Sequence, residues 1–427
     1  MDIRRKFDMQ PIEKCRACEG KKLKLFFDFG IQPLANSLLK NPNEFEKSYP
    51  LSLSWCEDCN LVQLNHTADP KELFSEYVWV TGTSSTAKMY SQVFCSEVLK
   101  RSEANENRYI LEVASNDGTF LQPFLNKGFN VLGIDPAQNI VRIANASGMP
   151  TICGFFGRGL AREIIDKHGY PQIVIARNVL PHVANLHDFI EGLSLCMDDD
   201  SVLALEIHYA KVILEELHYD SIYHEHLCYF SLKSVEKLLN AFSLFVYDIA
   251  ESPISGGSIV LYAKKVKVRE EETVQRYRDI ENVGMTNELS SWQSFANRAF
   301  QHRQQLLNII DEEVKSHRHI VGYGASARSS TLLNFCGIDT GQISVIADQS
   351  HLKHKRFTPG TCIPIEAPDD VMNSKPDTVF IMAWNFLEEI ALILKNDYRF
   401  KGRLIIPFPH PPKIMTIEEV LDGYYKR

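Results

Sequence analysis

The chain has 427 residues, of which 44% are hydrophobic and 23% charged, and its formal net charge is −8. This length is too great for one hydrophobic core and predicts about two to four domains. The acidic balance argues against a nucleic-acid partner, because nucleic-acid binders carry a basic footprint. No stretch approaches the ~18 consecutive apolar residues of a membrane span, and the first residues lack the apolar core of a signal peptide. We therefore expect a cytoplasmic protein with no membrane partner.

The N-terminal part carries two Cys-x-x-Cys pairs, Cys15 with Cys18 and Cys56 with Cys59. Two such pairs in a short module can present four thiolates tetrahedrally, which is the closed geometry of structural Zn²⁺. A redox disulfide is the main alternative, but one pair would be enough for it. Because the module is too small to bury much core, metal binding would supply much of its folding free energy. We predict a structural zinc site.

The next pattern is that of a doubly wound nucleotide-binding fold. A short apolar strand over residues 109–113 leads into a small-residue turn, a helix and a second strand that ends on Asp135. An acid in that place accepts hydrogen bonds from ribose hydroxyls. The turn has a single glycine, Gly118, and so departs from the glycine-rich cradle of a diphosphate. It suits S-adenosylmethionine, which has no phosphate to accommodate.

Apolar runs at residues 172–176 and 201–206 predict further strands of a buried parallel sheet. Polar segments follow both runs: Asn178 and His182 come after the first, and the sequence Tyr-His-Glu-His at residues 223–226 comes after the second. Ligands of α/β proteins bind beyond the carboxyl ends of the strands. These segments, the turn and the terminal acid should therefore surround one crevice. The candidate cofactor-binding residues are Glu112, Ser115, Asn116, Gly118, Asp135 and Asn178.

Residues 223–226 are the strongest candidate for catalysis, since a phenol, two imidazoles and a carboxylate stand side by side. A histidine tuned near neutral pH is suited to proton transfer. The alternative is a polar surface turn whose histidines have no task. Downstream, Gly256 and Gly257 precede a strand, which fits either close approach of the backbone to a ligand or a plain tight turn.

The last part begins with a strand that runs into Gly322-x-Gly324-x-x-Ala327, and the next strand, over residues 343–347, ends on Asp348. This is the pattern of a dinucleotide fingerprint with its ribose-binding acid. Read alone it would suggest NAD. Backbone amides at a helix N-terminus nevertheless bind anions generally, so any diphosphate, including that of a sugar nucleotide, could use the turn. A long charged helical stretch, residues 269–317, connects this part to the rest.

In this order the motifs resemble those of the sugar-nucleotide C-methyltransferases of branched deoxysugar biosynthesis. The resemblance covers nearly the whole chain, and its carriers are the two Cys-x-x-Cys pairs and residues 111–118, 178–182, 223–226, 255–258, 322–327, 357–361 and 382–385. It implies an α/β protein in three parts. These are a zinc-binding domain at 11–72, a doubly wound methyltransferase domain at 73–265, and a Rossmann-like domain at 266–427 that helps to hold the nucleotide sugar.

The resemblance also implies a reaction. S-adenosylmethionine would donate a methyl group to a carbon, at position 3, of a nucleotide-linked 4-keto deoxyhexose, through an enolate. The general base falls on His226, with Tyr223, Glu225, His182 and Tyr77 as supporting residues. The substrate-binding candidates are Gly256, Gly257, Gly324, Ser326 and Arg328. Arg328 stands where many relatives have lysine, which keeps the cation but changes its geometry.

Two other functions remain open at this point. The C-terminal fingerprint could belong to an NAD-dependent oxidoreductase acting on a nucleotide sugar. The same scaffold could also serve an O-directed or non-catalytic relative. The assembly stays open between a monomer and a homodimer.

Overall fold

The computed structural model describes residues 5–6, 11–74, 80–103, 107–253 and 256–424. Three sheets follow one another along the chain, one at the N-terminus, one central and one C-terminal. The predicted α/β class, with a small N-terminal module and two larger units, is confirmed. Within the described residues, no helix is both long and apolar enough to cross a membrane.

The N-terminal sheet is mainly antiparallel. Its elements are β1 (Arg5–Lys6), β2 (Leu23–Pro33), β3 (Lys47–Cys56) and β4 (Val62–Leu64), followed by the short helix α1 (Pro70–Phe74). The register of β2 against β3 sets Leu23 opposite Cys56. Cys56, which belongs to the second cysteine pair, therefore ends β3 beside the start of β2. A strand from the central part of the chain, Cys228–Tyr229, completes the sheet by pairing antiparallel with β4. The segment that follows residues 223–226 is thus part of the N-terminal sheet.

The central unit has seven strands with helices between them. Its elements are α2 (Ser85–Lys100), β5 (Ile110–Val113), α3 (Gln122–Asn126), β6 (Val131–Asp135), α4 (Gln138–Ala146), β7 (Thr151–Cys153), α5 (Arg158–His168), β8 (Ile173–Arg177), α6 (Leu186–Leu195), β9 (Val202–His208), α7 (Ala210–Glu216), α8 (Leu232–Asn240), β11 (Phe245–Ser252) and β12 (Ser258–Lys264); Cys228–Tyr229 is β10. The strand order is β11-β12-β9-β8-β5-β6-β7. Strands β9 to β7 are parallel, and β12 and β11 are antiparallel additions.

The order of the strands explains where the crevice lies. From β5 the chain winds to β6 and β7 on one side, and from β8 to β9 on the other. The carboxyl ends of β5 and β8 therefore lie at the topological switch point, where α/β sheets bind ligands. Both strands are apolar and buried along nearly their whole length, as strands covered on two faces should be.

The C-terminal unit repeats the doubly wound plan. Its elements are α9 (Glu272–Val283), α10 (Leu289–Lys315), β13 (Ile320–Tyr323), α11 (Ala327–Cys336), β14 (Ile346–Ala347), β15 (Arg356–Phe357), β16 (Pro364–Glu366), α12 (Pro368–Asn373), β17 (Thr378–Ile381), α13 (Leu387–Asn396), β18 (Arg403–Ile406), β19 (Lys413–Met415) and α14 (Ile417–Tyr424). The strand order is β15-β16-β14-β13-β17-β18-β19, with only the two edge strands antiparallel. The predicted Rossmann-like topology is thus present.

Two predicted elements have different bounds. The connector at residues 269–317 is two helices, α9 and α10, rather than one stretch. The strand expected over residues 343–347 is reduced to β14. Strand β17 ends at Ile381. After Ile381 the chain forms a tight turn whose Trp384 indole N–H donates to the Asp220 carboxylate at 2.7 Å. The polar end of this apolar run is therefore used to join the C-terminal unit to the central one.

Candidate active site

The four N-terminal cysteines form one cluster. Their Sγ atoms all lie within 4.8 Å of one another; the Cys15–Cys59 pair is 3.5 Å apart and the Cys18–Cys56 pair 3.6 Å. A tetrahedron with Zn–S bonds of about 2.3 Å has S–S edges of about 3.8 Å, so the donor set fits Zn²⁺. Four thiolates close the coordination shell against substrate, as in structural sites. The predicted structural zinc site is confirmed.

The turn after β5 has three residues in the left-handed region and is tied to the end of β6. Ala114, Asn116 and Gly118 have φ values of 57°, 51° and 81°, in the left-handed region. The Asn116 backbone N–H donates to Asp135 Oδ2 at 3.0 Å, and the Ala137 N–H donates to Oδ1 at 2.9 Å. These bonds fix the carboxylate at the end of β6. Gly118 is required by packing, because a Cβ there would lie 2.3 Å from Met149 Cγ.

Two buried polar atoms beside this turn have no hydrogen-bond partner among the described residues: Glu112 Oε2 and Ser115 Oγ. Burial raises the pKa of Glu112 to about 8, and the charge of Arg177 opposes the shift. Both residues line the same cavity as Asp135 and Asn178. Buried polar atoms without partners, facing a cavity, are what a polar ligand would satisfy. Five of the six predicted cofactor-binding residues thus line one cavity. The sixth, Gly118, does not line it and has a packing role.

The cavity is about 1340 Å³ in volume and runs from the turn after β5 to the C-terminal unit. Its far wall includes Trp384, Lys413 and Met415, and His182 lies along it. Pockets for a single small ligand usually measure about 300–1,000 Å³. This cavity therefore has room for a cofactor and a second, sizeable ligand at once.

His226 is held as a neutral imidazole. Its Nδ1 is 2.7 Å from the Ser221 carbonyl oxygen, and its Nε2 is 2.8 Å from the Tyr223 hydroxyl. A carbonyl can only accept, so Nδ1 carries the proton and Nε2 accepts from the phenol. Burial holds the pKa of His226 well below its usual range, with further lowering by His182 and Arg328. A neutral ring with a lone pair on Nε2 is the form that a general base requires.

His182 lies beside this base. The two ring centroids are 4.8 Å apart, and Phe74 meets the other side of His182 at 5.6 Å. Burial lowers the pKa of His182 to about 4, while its main-chain interactions with Glu225 and Asn178 oppose the shift. The structure therefore brings together two neutral imidazoles and one phenol at the carboxyl edge of the sheet.

The other two side chains of residues 223–226 face the N-terminal sheet. The Glu225 carboxylate accepts a hydrogen bond from Asn36 Nδ2 at 2.6 Å, whereas the His226 ring is oriented by the main-chain carbonyl of Ser221. Burial raises the pKa of Glu225 to about 7, and the Asn36 bond opposes the shift. His224, buried, meets the Tyr49 ring edge-on at 5.9 Å. Asn36 was missed from the sequence, and no local signal could have found it.

The predicted substrate-binding residues divide into two groups. Arg328 lies over the Trp384 ring, 5.3 Å from its centroid, and a Cβ on Gly256 would lie 3.3 Å from the Arg328 guanidinium. Gly256 and Arg328 are therefore brought together. Gly324, Ser326 and Gly257 have structural uses instead. A Cβ on Gly324 would meet Ala383, one on Gly257 would meet Val212, and Ser326 caps α11 by accepting from the Ser329 N–H at 3.2 Å.

The acid of the C-terminal fingerprint already has partners within the chain. Asp348 Oδ2 accepts from the Ala325 N–H at 2.8 Å and from Lys353 Nζ at 3.1 Å. These bonds tie the acid to the fingerprint turn and to Lys353. Tyr77, predicted as a supporting residue, lies outside the described residues.

A buried ion pair at the carboxyl edge was also missed from the sequence. Arg177 Nε donates to Glu206 Oε2 at 2.6 Å, and the Ser252 hydroxyl donates to Oε1 at 2.7 Å. The guanidinium lies 3.1 Å from the centroid of the Phe120 ring. Because Arg177 also lines the cavity, this network fixes a guanidinium, neutralised by Glu206, in the cavity wall.

Three family models match the chain. They are described as "Putative zinc binding domain" at residues 15–74, "Methyltransferase domain" at 87–247 and "C-methyltransferase C-terminal domain" at 253–409. The curated protein C-methyltransferase NovU from Streptomyces niveus is 29% identical over 418 residues, covering 97% of this chain and 99% of the relative.

Solved structures of methyltransferases align with less than half of this chain. Magnesium protoporphyrin IX methyltransferase (ChlM) from Synechocystis PCC 6803 with bound SAH is 14% identical, with 42% of this chain and 83% of that chain covered and a TM-score of 0.34. A SAM dependent methyltransferase from Archaeoglobus fulgidus is 12% identical, with 42% and 94% covered and a TM-score of 0.35.

The matched domains agree with the geometry of each part. The four-cysteine cluster lies in the first, and the turn after β5 with its unsatisfied polar atoms lies in the second. The third contains the wall of the cavity that carries Trp384. The chain therefore has, in order, a zinc-binding domain, a methyltransferase domain and a C-methyltransferase C-terminal domain.

Proposed function

We propose that this protein methylates carbon 3 of a nucleotide-linked 4-keto deoxyhexose through an enolate. The observation that carries the proposal is the neutral His226–His182 pair. His182 lines a cavity with the turn after β5 on one side and the C-terminal unit on the other, and the His226 ring centroid lies 4.8 Å from that of His182. Carbon methylation needs a base to generate a carbon nucleophile, whereas a pocket for simple binding needs none. The relative NovU, which is named a C-methyltransferase and matches this chain over nearly its whole length, also supports methylation at a carbon.

The chemistry follows from the protonation states of these residues. A ketone at position 4 of the sugar acidifies the hydrogen on carbon 3. His226 Nε2, which carries no proton, takes that hydrogen as the C–H bond breaks, and the electron pair moves onto the ketone oxygen. The Tyr223 hydroxyl is then released from its bond to Nε2 and can donate to the enolate oxygen. His182 lines the cavity as a second candidate donor.

Stabilisation of the enolate oxygen should be a large part of the catalysis, since one preorganised donor can contribute about 3 kcal/mol. Glu112, Ser115 and Asp135 would hold S-adenosylmethionine, which would supply an electrophilic methyl group. The enolate carbon would form its new bond to that methyl as the methyl–sulfur bond breaks, with the electron pair returning to sulfur and S-adenosylhomocysteine as the leaving product. The proton held by His226 would leave to solvent. The Ser221 carbonyl supports the imidazolium that exists between these events, because it accepts from Nδ1.

The nucleotide diphosphate would lie on the C-terminal side. Arg328 stands at the beginning of α11, where a guanidinium and backbone amides together attract phosphate oxygens. The Arg328 guanidinium packs over the Trp384 ring.

The proposal is tested by incubating the protein with methyl-labelled S-adenosylmethionine and a panel of 4-keto nucleotide sugars, followed by mass spectrometry. We expect label on carbon 3. A parallel incubation in ²H₂O without the methyl donor should exchange the hydrogen on that carbon. Methylation of a hydroxyl with no exchange at carbon would instead support the O-directed alternative, and tight NAD binding would support the oxidoreductase.

A further inference from the structure

The loop between β2 and β3, residues 34–46, joins the zinc-binding domain to both other units. Leu39 and Phe357 exchange two backbone hydrogen bonds of 2.9 Å. The Gly360 N–H donates to the Glu46 carboxylate at 2.8 Å. Between these two attachments to the C-terminal unit and the end of β2, the loop passes residues 223–226, and the residue that it presents there is Asn36.

Asn36 provides the hydrogen bond to a carboxylate that is almost completely buried. Its Nδ2 is 2.6 Å from Glu225 Oε1, and Glu225 is 3% exposed. The other oxygen, Oε2, has no partner among the described residues. Such an arrangement makes the carboxamide the main polar influence on Glu225, because a buried carboxylate depends on its few donors.

We propose that Asn36 is a positioning residue of the methyl-transfer site, whose carboxamide donates to the buried Glu225 side chain and favours its carboxylate form next to the base His226. This inference rests on the proposed function, since it takes His226 as the base. It gives the zinc-binding domain a direct part in the reaction centre. The domain supplies the hydrogen-bond donor to Glu225 from the loop between its two long strands.

The physical argument compares the two forms of Glu225. Burial favours the protonated carboxyl, whereas the Asn36 donor favours the carboxylate. The titratable groups around it are His182, which meets its main chain, His224 and His226 on its own segment, and His66 behind His224. All are imidazoles, so an anionic Glu225 would favour the imidazolium that forms when His226 accepts the substrate proton. Loss of the donor would leave a neutral carboxyl and a weaker base.

The first measurement needs no substrate. Glutamate labelled with ¹³C at the side-chain carboxyl would be incorporated, and the Glu225 signal identified by its loss in Glu225→Gln. We expect a wild-type midpoint near the predicted pKa of about 7. Asn36→Leu, similar in size but without a donor, should raise the midpoint by about one pH unit or more. Asn36→Asp should raise it too, because two adjacent carboxyls share one proton.

The exposed neighbour Ser37 offers a matched control, and Ser37→Ala should leave the midpoint unchanged. An unchanged midpoint in Asn36→Leu would overturn the proposal, whatever its activity. Turnover gives the second readout. Asn36→Leu should lose about tenfold in kcat at pH 7 and recover above its new midpoint, since deprotonation restores the anion. An equal loss at every pH would mean that Asn36 is only structural and would also overturn the proposal.

The two measurements separate this inference from the proposed function. If the wild-type protein methylates no 4-keto nucleotide sugar, the proposed substrate is wrong. The carboxyl titration nevertheless still decides whether Asn36 controls the ionisation of Glu225. If wild-type turnover is normal and the Asn36→Leu midpoint does not move, the proposed function stands and the role of Asn36 falls.

Discussion

Replacing His226 with asparagine removes the proposed base with little change in shape. The new side chain can still donate an N–H toward the Ser221 carbonyl, which now accepts from Nδ1 at 2.7 Å. It has no basic nitrogen at the place of Nε2, 2.8 Å from the Tyr223 hydroxyl. The substitution therefore separates proton abstraction from the local packing of the segment.

The size of the effect follows from the two roles of the ring. A positioned general base contributes about 10²–10⁴-fold to rate, which is about 3–5 kcal/mol of activation free energy at 1.36 kcal/mol per tenfold. The loss in folding free energy should be smaller. One of two hydrogen bonds is lost, each worth about 1 kcal/mol, so we expect destabilisation of about 1–2 kcal/mol.

Two assays distinguish these effects. Exchange of the sugar hydrogen in ²H₂O, measured without methyl donor, should fall about 10²–10⁴-fold in His226→Asn, while calorimetric affinity for S-adenosylmethionine stays within about twofold. His168→Asn, on an exposed helix end, controls for the loss of an imidazole. If His226→Asn kept more than about a tenth of the wild-type exchange rate, the base would have to be another group.

Three further predictions concern other parts of the molecule. Asp135→Ala should weaken S-adenosylmethionine binding about 10–100-fold, since hydrogen bonds to charged groups contribute about 1.5–3 kcal/mol; titration calorimetry measures this, and unchanged affinity would contradict a ribose contact. Glu206→Leu leaves Arg177 buried without its partner and should reduce the free energy of unfolding by about 3–5 kcal/mol in urea titration, whereas Glu191→Leu, which removes a half-buried partner of the surface residue Arg158, should cost far less. Removal of zinc by a chelator should unfold the N-terminal sheet, seen as loss of its circular dichroism and faster proteolysis within residues 11–74, and intact structure with blocked chemistry would contradict a structural metal.

Much of the fold could be predicted from the sequence, because its signals are local. Each cysteine pair is spaced to bind one metal ion. The apolar runs that became β5 and β8 are short and continuous, as strands buried on both faces must be. The turn after β5 could be predicted from its small residues and from Asp135, the acid nineteen positions after Asn116 that ends the next strand. The convergence of Asp135, Asn178 and His182 on one cavity followed from the rule that parallel strands share a ligand-binding edge.

The tertiary structure decided what each polar side chain meets. Residues 223–226 were predicted as a unit, yet Tyr223 and His226 form one site while His224 and Glu225 face the N-terminal sheet. The direction of each side chain depends on segments far away in sequence, such as the loop that carries Asn36.

The same reason explains the other differences. Which cation Asp348 meets depends on where Lys353 folds back, and the partner of Arg177 is a glutamate on the next strand. Local propensity and spacing determine which elements form and at which edge they end. The partners of buried charges and donors are set only when the three units pack together, because burial makes each such pairing depend on the whole fold.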